Sequence, residues 1–77
     1  MVFEKVRAII ASQFGVQPDA VTEETEFVAD LSADSLDVVE LAMSIEEEFD
    51  LPEIEEEDIK SIQNVGDLVA YVVKNIR

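Results

Sequence analysis

Apolar residues recur at intervals of three and four positions in two long segments, which is the period of an amphipathic α-helix. The first segment, Val2–Phe14, stops at Gly15, a residue typical of helix C-termini. The second opens at Asp34 or Ser35, since either suits a helix N-cap, and Pro52 marks its end. The inward positions of this second helix are predicted to be Val38, Leu41, Ala42, Ile45 and Phe49.

A last helix is predicted after Asn64, whose side chain suits an N-cap. Its basic residues Lys74 and Arg77 fall near the end, where they oppose the negative pole of the helix dipole. Several β-branched residues in this segment would also suit a strand, but their period is closer to 3.6 than to 2. Its buried side is predicted to comprise Val65, Leu68, Val69, Val72, Val73 and Ile76.

The connections between these segments lack the helical period. From Gly15 to Asp34 the chain makes a connection of about 20 residues, and we expect Phe27 and Leu31 to anchor it in the core. The acidic segment from Glu53 to Ile59 is predicted to form one or two turns of helix. The sequence therefore predicts an all-α fold in a single domain over residues 1–77. It is a small four-helix bundle of three main helices and one short helix, with a long loop between helices 1 and 2.

The charge of the chain narrows the classes of partner. Five Lys and Arg face 19 Asp and Glu, so the net charge is −14, and no Lys or Arg lies between Arg7 and Lys60. Such a field repels nucleic acid and anionic membrane. The 48% of hydrophobic residues is too high for a disordered acidic chain. We therefore expect a folded domain of marginal stability, which salt should stabilise. No uninterrupted apolar run is long enough for membrane insertion.

The chain has no His and no Cys, which removes the usual zinc ligands and the usual bases and thiols of hydrolytic enzymes. We therefore predict no catalytic residue and a protein that is not an enzyme. No acidic run has the Gly of a calcium-binding EF-hand loop. The acidic runs at residues 46–48 and 55–58 are interpreted as solvated faces that attract divalent cations weakly, and no metal site is predicted.

Ser35 is the first candidate for chemistry, because it stands at the start of a helix after a long loop. The helix dipole and the unpaired N–H groups of a first turn would accommodate a phosphate ester on its hydroxyl. The alternative is that Ser35 is only a helix cap.

The outer side of the second helix is the second candidate. Apolar and acidic residues alternate there at helical spacing, which suits a docking surface for partners rich in Lys and Arg. The alternative is that the apolar members cover the edge of the core while the acids are merely solvated. The stripe comprises Leu36, Glu40, Met43 and Glu47.

The run from Asp34 to Leu41, followed by Met43 and by residues 46–50, closely resembles the acyl carrier proteins of bacterial type II fatty acid synthesis. The likeness covers nearly the whole chain, although a three-residue string such as Asp-Ser-Leu would be weak by itself. Its other members are Phe14-Gly15-Val16, Phe27, Asp30-Leu31 and Val65-Gly66-Asp67.

The resemblance implies that Ser35 receives a 4′-phosphopantetheine arm from a carrier-protein synthase, a phosphopantetheinyl transferase that uses coenzyme A. The thiol of that arm would carry the growing acyl chain as a thioester between cytoplasmic fatty acid synthesis enzymes. The resemblance also implies shelter for acyl chains between the helices, and we expect the carrier to be a monomer. The residues it implies for recognition by basic docking patches are Asp34, Leu36, Asp37, Glu40, Met43 and Glu47.

Two positions depart from the family pattern. Ser32 stands where the family usually has Gly, so a positive φ there would strain the turn. The segment from Leu51 to Glu55 is one residue longer than usual, which would move the start of the short third helix. Two other functions stay open at this point: a carrier of a specialised acyl, aminoacyl or polyketide cargo, and an unmodified acidic adaptor or weak cation buffer.

Overall fold

Four α-helices form the molecule in a computed structural model that describes residues 2–76. They are α1 (Val2–Phe14), α2 (Ser35–Phe49), α3 (Glu56–Ser61) and α4 (Val65–Asn75). One turn of 3-10 helix, Pro18–Ala20, interrupts the long connection between α1 and α2. No strand forms within residues 2–76, where an isolated antiparallel bridge joins Glu26 to Asn64. The predicted all-α bundle of three main helices and one short helix is confirmed.

The helix ends follow from local chemistry at most of the predicted positions. Gly15 ends α1 with a φ of +66°, which a residue without a side chain adopts readily. The side chain of Asn64 caps α4 by accepting the N–H of Asp67 at 2.7 Å. The end of α2 falls earlier than Pro52, because Asp50 adopts a left-handed conformation that stops the helix after Phe49.

The core is the space enclosed by α1, α2 and α4, closed at one end by the long connection. All three helices contribute aliphatic side chains, as their 3.6-residue period requires. The buried core residues are Val6 and Ile10 of α1, Leu41 and Ile45 of α2, Val65, Leu68 and Val72 of α4, and Val21, Phe27 and Ala33 of the connection.

The long connection is docked on the start of α4 by backbone hydrogen bonds. The N–H of Phe27 donates to the carbonyl of Gln63 at 3.1 Å, and the N–H of Gly66 donates to the carbonyl of Glu23 at 2.8 Å. Gly66 permits this approach, because a Cβ there would lie 3.1 Å from the Glu23 carbonyl oxygen. Phe27 is buried and Leu31 is half-buried against the core, which confirms both anchors.

The predicted buried side of α4 is wrong at two positions. Val73 is 56% exposed and Ile76 is 37% exposed. Val73 lies one residue, or 100° of helix, beyond the fully buried Val72 and so turns away from the neighbouring helices. The helix ends at Asn75, so Ile76 no longer shares its face. Arg77, predicted to oppose the helix dipole, lies outside the described residues.

The short acidic helix starts later than predicted. The segment expected to be helical from Glu53 begins its helix at Glu56 instead, after an extended stretch in which Ile54 is buried. Among the described residues, no helix is long and apolar enough to cross a membrane.

Candidate functional site

Ser35 is the first residue of α2, and its neighbour Asp34 supplies the helix cap. The Asp34 carboxylate accepts the N–H of Asp37 at 2.9 Å, and the Asp37 carboxylate accepts the N–H of Asp34 at 3.1 Å. This reciprocal pair is a capping box. The interpretation of Ser35 as only a cap is therefore wrong, since Asp34 has that role and Ser35 is exposed.

The turn that leads to Ser35 contains the departure noted at Ser32. Ser32 has a φ of +53°, in the left-handed region that glycine adopts without strain. The N–H of Ser32 donates to the carbonyl of Val28 at 3.2 Å, and the N–H of Ala33 donates to the carbonyl of Phe27 at 2.9 Å. The expected positive φ is thus confirmed, and the turn forms in spite of the serine.

The start of α2 is also tied to α1. The side-chain amide of Gln13, near the end of α1, donates to the backbone carbonyl of Asp37 at 2.8 Å. Gln13 was not identified from the sequence, because its partner is a backbone oxygen 24 residues away that no side-chain pattern marks. This bond and the capping box fix the first turn of α2, on which Ser35 lies.

Ser35 borders an open groove of about 890 Å³. A smaller apolar cavity of about 20 Å³ lies behind it, lined by residues such as Phe27, Leu41 and Leu68. Four side chains line both spaces and form a partition between them: Val38, Ile54, Ile59 and Ile62. The arrangement places an exposed hydroxyl beside a groove whose inner wall is aliphatic.

The predicted stripe on the outer face of α2 is exposed to solvent. Leu36 is 64% exposed and Met43 is 55% exposed, so the alternative that they cover the edge of the core is wrong. Glu40 and Glu47 are exposed beside them, and Asp37 is half-buried. The predicted recognition residues and Ser35 therefore lie together on the cap and the first four turns of one helix.

Two exposed apolar residues near Ser35 were not identified from the sequence as part of the site. Val39 follows Ser35 by four residues and so lies above it on the helix surface, a spacing that could have identified it. Val28 is the most exposed of the large apolar residues in the described chain and lines the groove from the long connection. Both extend the apolar surface around the Ser35 hydroxyl.

The interpretation of the acidic runs as solvated faces does not hold for every residue in them. Glu46 is half-buried, and its carboxylate accepts the N–H of Ile54 at 2.8 Å, so the interpretation is wrong for this residue.

Desolvation by partial burial, and then the charges of Asp58, Glu55 and Glu46, raise the pKa of Tyr71 above its ordinary value. In the part of the chain that the structure describes, no three acidic side chains are grouped closely enough to hold a metal ion.

Two of the basic residues form ion pairs with carboxylates of their own helices. Arg7 forms an ion pair with Glu4 at 2.7 Å and lies 5.1 Å from the centre of the Phe3 ring. Lys60 pairs with Glu56 at 3.5 Å. The face of α2 around Ser35 is therefore negative without any cation of its own.

Comparison with known proteins identifies the class of this fold and site. Residues 4–72 match the family model described as "Phosphopantetheine attachment site". The chain is 52% identical over 71 residues to an acyl carrier protein of Akkermansia muciniphila, covering 92% of this chain and 88% of the relative. It is 50% identical over 72 residues to an acyl carrier protein of Clostridium acetobutylicum, covering 94% and 92%.

Solved structures of acyl carrier proteins have the same fold as this chain. An acyl carrier protein from Enterococcus faecalis, described for its high thermal stability, superposes with a TM-score of 0.81 at 40% identity, covering 96% of this chain and 92% of that one. A doublet acyl carrier protein from prodigiosin biosynthesis gives the same TM-score at 21% identity, with 97% and 36% coverage, and supports the fold alone. The chain therefore belongs to the acyl carrier protein family, and acyl chains are carried on its 4′-phosphopantetheine cofactor.

The residues of this chain fit that cofactor. The attached group is a phosphate ester, and a helix N-terminus with unpaired N–H groups favours such a group. The groove beside Ser35 has an aliphatic inner wall, which suits the uncharged remainder of such an arm. The negative charges of Asp34 and Asp37 oppose the phosphate, but each carboxylate is already engaged by an N–H of the capping box.

Proposed function

We propose that Ser35 is the attachment point of the 4′-phosphopantetheine arm and that the chain delivers growing fatty acyl chains to fatty acid synthesis enzymes. The observation that carries the proposal is the division of roles at the start of α2. Asp34 caps the helix, so the Ser35 hydroxyl stays exposed beside the groove. Family membership supports the cofactor, and this geometry supports the residue.

The arm supplies a thiol that holds an acyl group as a thioester. The chain itself contributes position and shelter. The N–H groups in the first turn of α2 would stabilise the phosphate of the arm, and the groove beside Ser35 would accommodate the remainder. The aliphatic cavity behind the partition shelters the acyl chain when the partition moves. The protein thereby acts as a carrier rather than a catalyst.

The outer face of α2 is the proposed docking surface. Exposed Leu36 and Met43 offer apolar contact, while the carboxylates around them attract basic patches on the carrier-protein synthase and on the synthesis enzymes. Electrostatic attraction of this kind gives fast encounter and short residence, which suits a carrier that visits many enzymes as a monomer. We place this work in the cytoplasm, together with the fatty acid synthesis enzymes that the carrier serves. The residues assigned to recognition are Asp34, Leu36, Asp37, Glu40, Met43 and Glu47.

Incubation with coenzyme A and a phosphopantetheinyl transferase tests the attachment residue. The wild-type protein should gain the mass of one arm, and Ser35→Ala should gain none. Ser44→Ala provides the matched control, since Ser44 is also exposed on α2 and its loss should leave the gain intact. An unmodified wild type, with a transferase shown to be active on another carrier, contradicts the proposal.

The cargo is tested separately. Mass spectrometry of the protein isolated from its own cells should find saturated fatty intermediates on the arm. Aminoacyl or polyketide units there would favour the specialised carrier instead. Tight calcium binding in physiological salt, together with an unmodified Ser35, would favour the acidic adaptor.

A further inference from the structure

One of the four side chains that form the partition between the groove and the cavity is fully buried. Ile54 is the single buried residue between Ile45 and Val65, with 4% of its surface exposed. It lines the groove on one side and the cavity on the other. The neighbouring α3 has no buried residue and no side-chain cap, so it adds little to the local stability. Half-buried Leu51 holds the start of this stretch against the core, and the position of the remainder up to α3 depends largely on how Ile54 is held.

The backbone of Ile54 is held by a side chain of α2. Its N–H donates to the carboxylate of half-buried Glu46 at 2.8 Å, across eight residues of sequence. A hydrogen bond to a charged carboxylate that is partly shielded from water is stronger than one between neutral groups. This bond, which we call the Glu46 latch, ties the segment after α2 back onto α2.

The Glu46 latch acts against electrostatic repulsion. Ile54 is flanked by Glu53 and Glu55, which are both exposed and negative, and Glu46 adds a third charge to the same region. Loss of one hydrogen bond therefore releases a segment that the surrounding charges already push outward.

The small size of the cavity shows why such a segment matters. Its volume of about 20 Å³ has room for about one water molecule, so an acyl chain enters only if the partition moves. Within the partition, Val38 and Ile59 lie on helices and Ile62 caps α3, whereas Ile54 lies in the segment between helices. Ile62 also lies outside the helices, but its N–H donates to the carbonyl of Ile59 in α3 at 3.2 Å, so Ile54 is the member that can move without disturbing a hydrogen bond to a helix end.

We propose that Glu46 is a positioning residue, which holds Ile54 closed over the empty cavity and so sets how readily an acyl chain enters. The inference rests on the proposed function, since it concerns the chain carried from Ser35. Glu46 is distinct from the recognition residues, because its carboxylate faces the chain's own backbone rather than a partner.

Hydrogen exchange of the Ile54 amide in the unmodified protein measures the Glu46 latch directly. Glu46→Ala removes the acceptor and should speed this exchange about tenfold or more. Glu46→Gln keeps an acceptor oxygen and should stay within about threefold of the wild type. Glu48→Ala removes the same charge from an exposed neighbour and should change nothing. Equal exchange in Glu46→Ala and Glu48→Ala overturns the proposal.

Loading with an octanoyl chain provides a readout that a merely structural role would not move. The Glu46 latch stabilises only the closed, empty form, so octanoylation should raise the melting temperature more in Glu46→Ala than in Glu48→Ala. An equal rise in the two variants overturns the proposal. The two levels of inference fail separately: an arm that is never added contradicts the function of Ser35, whereas exchange insensitive to Glu46 contradicts the Glu46 latch alone.

Discussion

Single residues at the start of α2 show how the site is assembled from local chemistry. Asp34 and Asp37 satisfy each other's backbone N–H groups, which leaves the serine between them free for another use. A serine at the cap itself would have had its hydroxyl engaged with the helix. The order of residues, with the capping carboxylate first and the hydroxyl second, is therefore part of the proposed function.

Ser32 carries a conformational cost that a substitution should remove. Its φ of +53° is strained for any residue with a side chain, so Ser32→Gly should raise the free energy of unfolding by about 0.5–1 kcal/mol. Urea denaturation measures this change. Ser12→Gly, at an exposed position inside α1, should lower it by about 0.5 kcal/mol. A loss of stability in both variants would show that Ser32 is not strained.

At the scale of elements, the sequence predicted what local chemistry determines. The period of apolar residues and the caps at Gly15, Asp34 and Asn64 located α1, α2 and α4. The same period of apolar residues predicted which face of α2 is exposed. The candidate site was predicted as far as it depends on one helix, because all of its proposed residues lie on α2 or at its cap.

What the sequence did not predict depends on contacts between elements. The rotation of α4 about its axis is fixed by its neighbours, so the exposure of Val73 could not be deduced from the pattern of valines. The late start of α3 depends on Ile54, which is held by Glu46 rather than by a helical period. The docking of the long connection depends on backbone bonds such as that from Phe27 to Gln63.

The packing of α4 against the acidic segment predicts a response to alkaline pH. The pKa of Tyr71 is raised in the folded state, so the stability tied to its neutral form is complete below the unfolded value of about 10 and is lost as pH rises through the folded pKa. Tyr71→Phe should therefore lose less stability than the wild type between neutral pH and about pH 11. Denaturant titrations at the two pH values measure the difference, and the Lys contributions common to both proteins cancel. Equal losses would show that the Tyr71 hydroxyl ionises freely.

On the scale of the whole molecule, the negative charge that serves the proposed recognition has a cost in stability. No Lys or Arg lies between Arg7 and Lys60, and both of these residues are paired with carboxylates of their own helices. Self-repulsion on this scale destabilises a compact state and is reduced by salt. Added sodium chloride should accordingly stabilise the fold while it slows docking.

Neutralising part of the docking face should separate these two effects. Glu40→Gln combined with Glu47→Gln should raise the melting temperature by about 2–4 °C and slow association with a basic partner enzyme. Calorimetry and stopped-flow binding measure the two quantities. Glu24→Gln with Glu57→Gln removes two exposed charges elsewhere, and should give a similar thermal gain with a smaller change in association. Faster docking of the first variant would contradict the assignment of this face.

The single buried residue between Ile45 and Val65 also bears on how this chain can diverge. A stretch in which Ile54 is the one fully buried side chain can gain or lose residues with little repacking of the helices around it, and lengthening a loop costs little entropy. The residue by which the segment from Leu51 to Glu55 is expected to exceed the family pattern falls in this stretch. Variation in the length of this stretch would alter the partition beside the acyl chain while the helices keep their packing. Related carriers could in this way accommodate different cargoes without a change of fold.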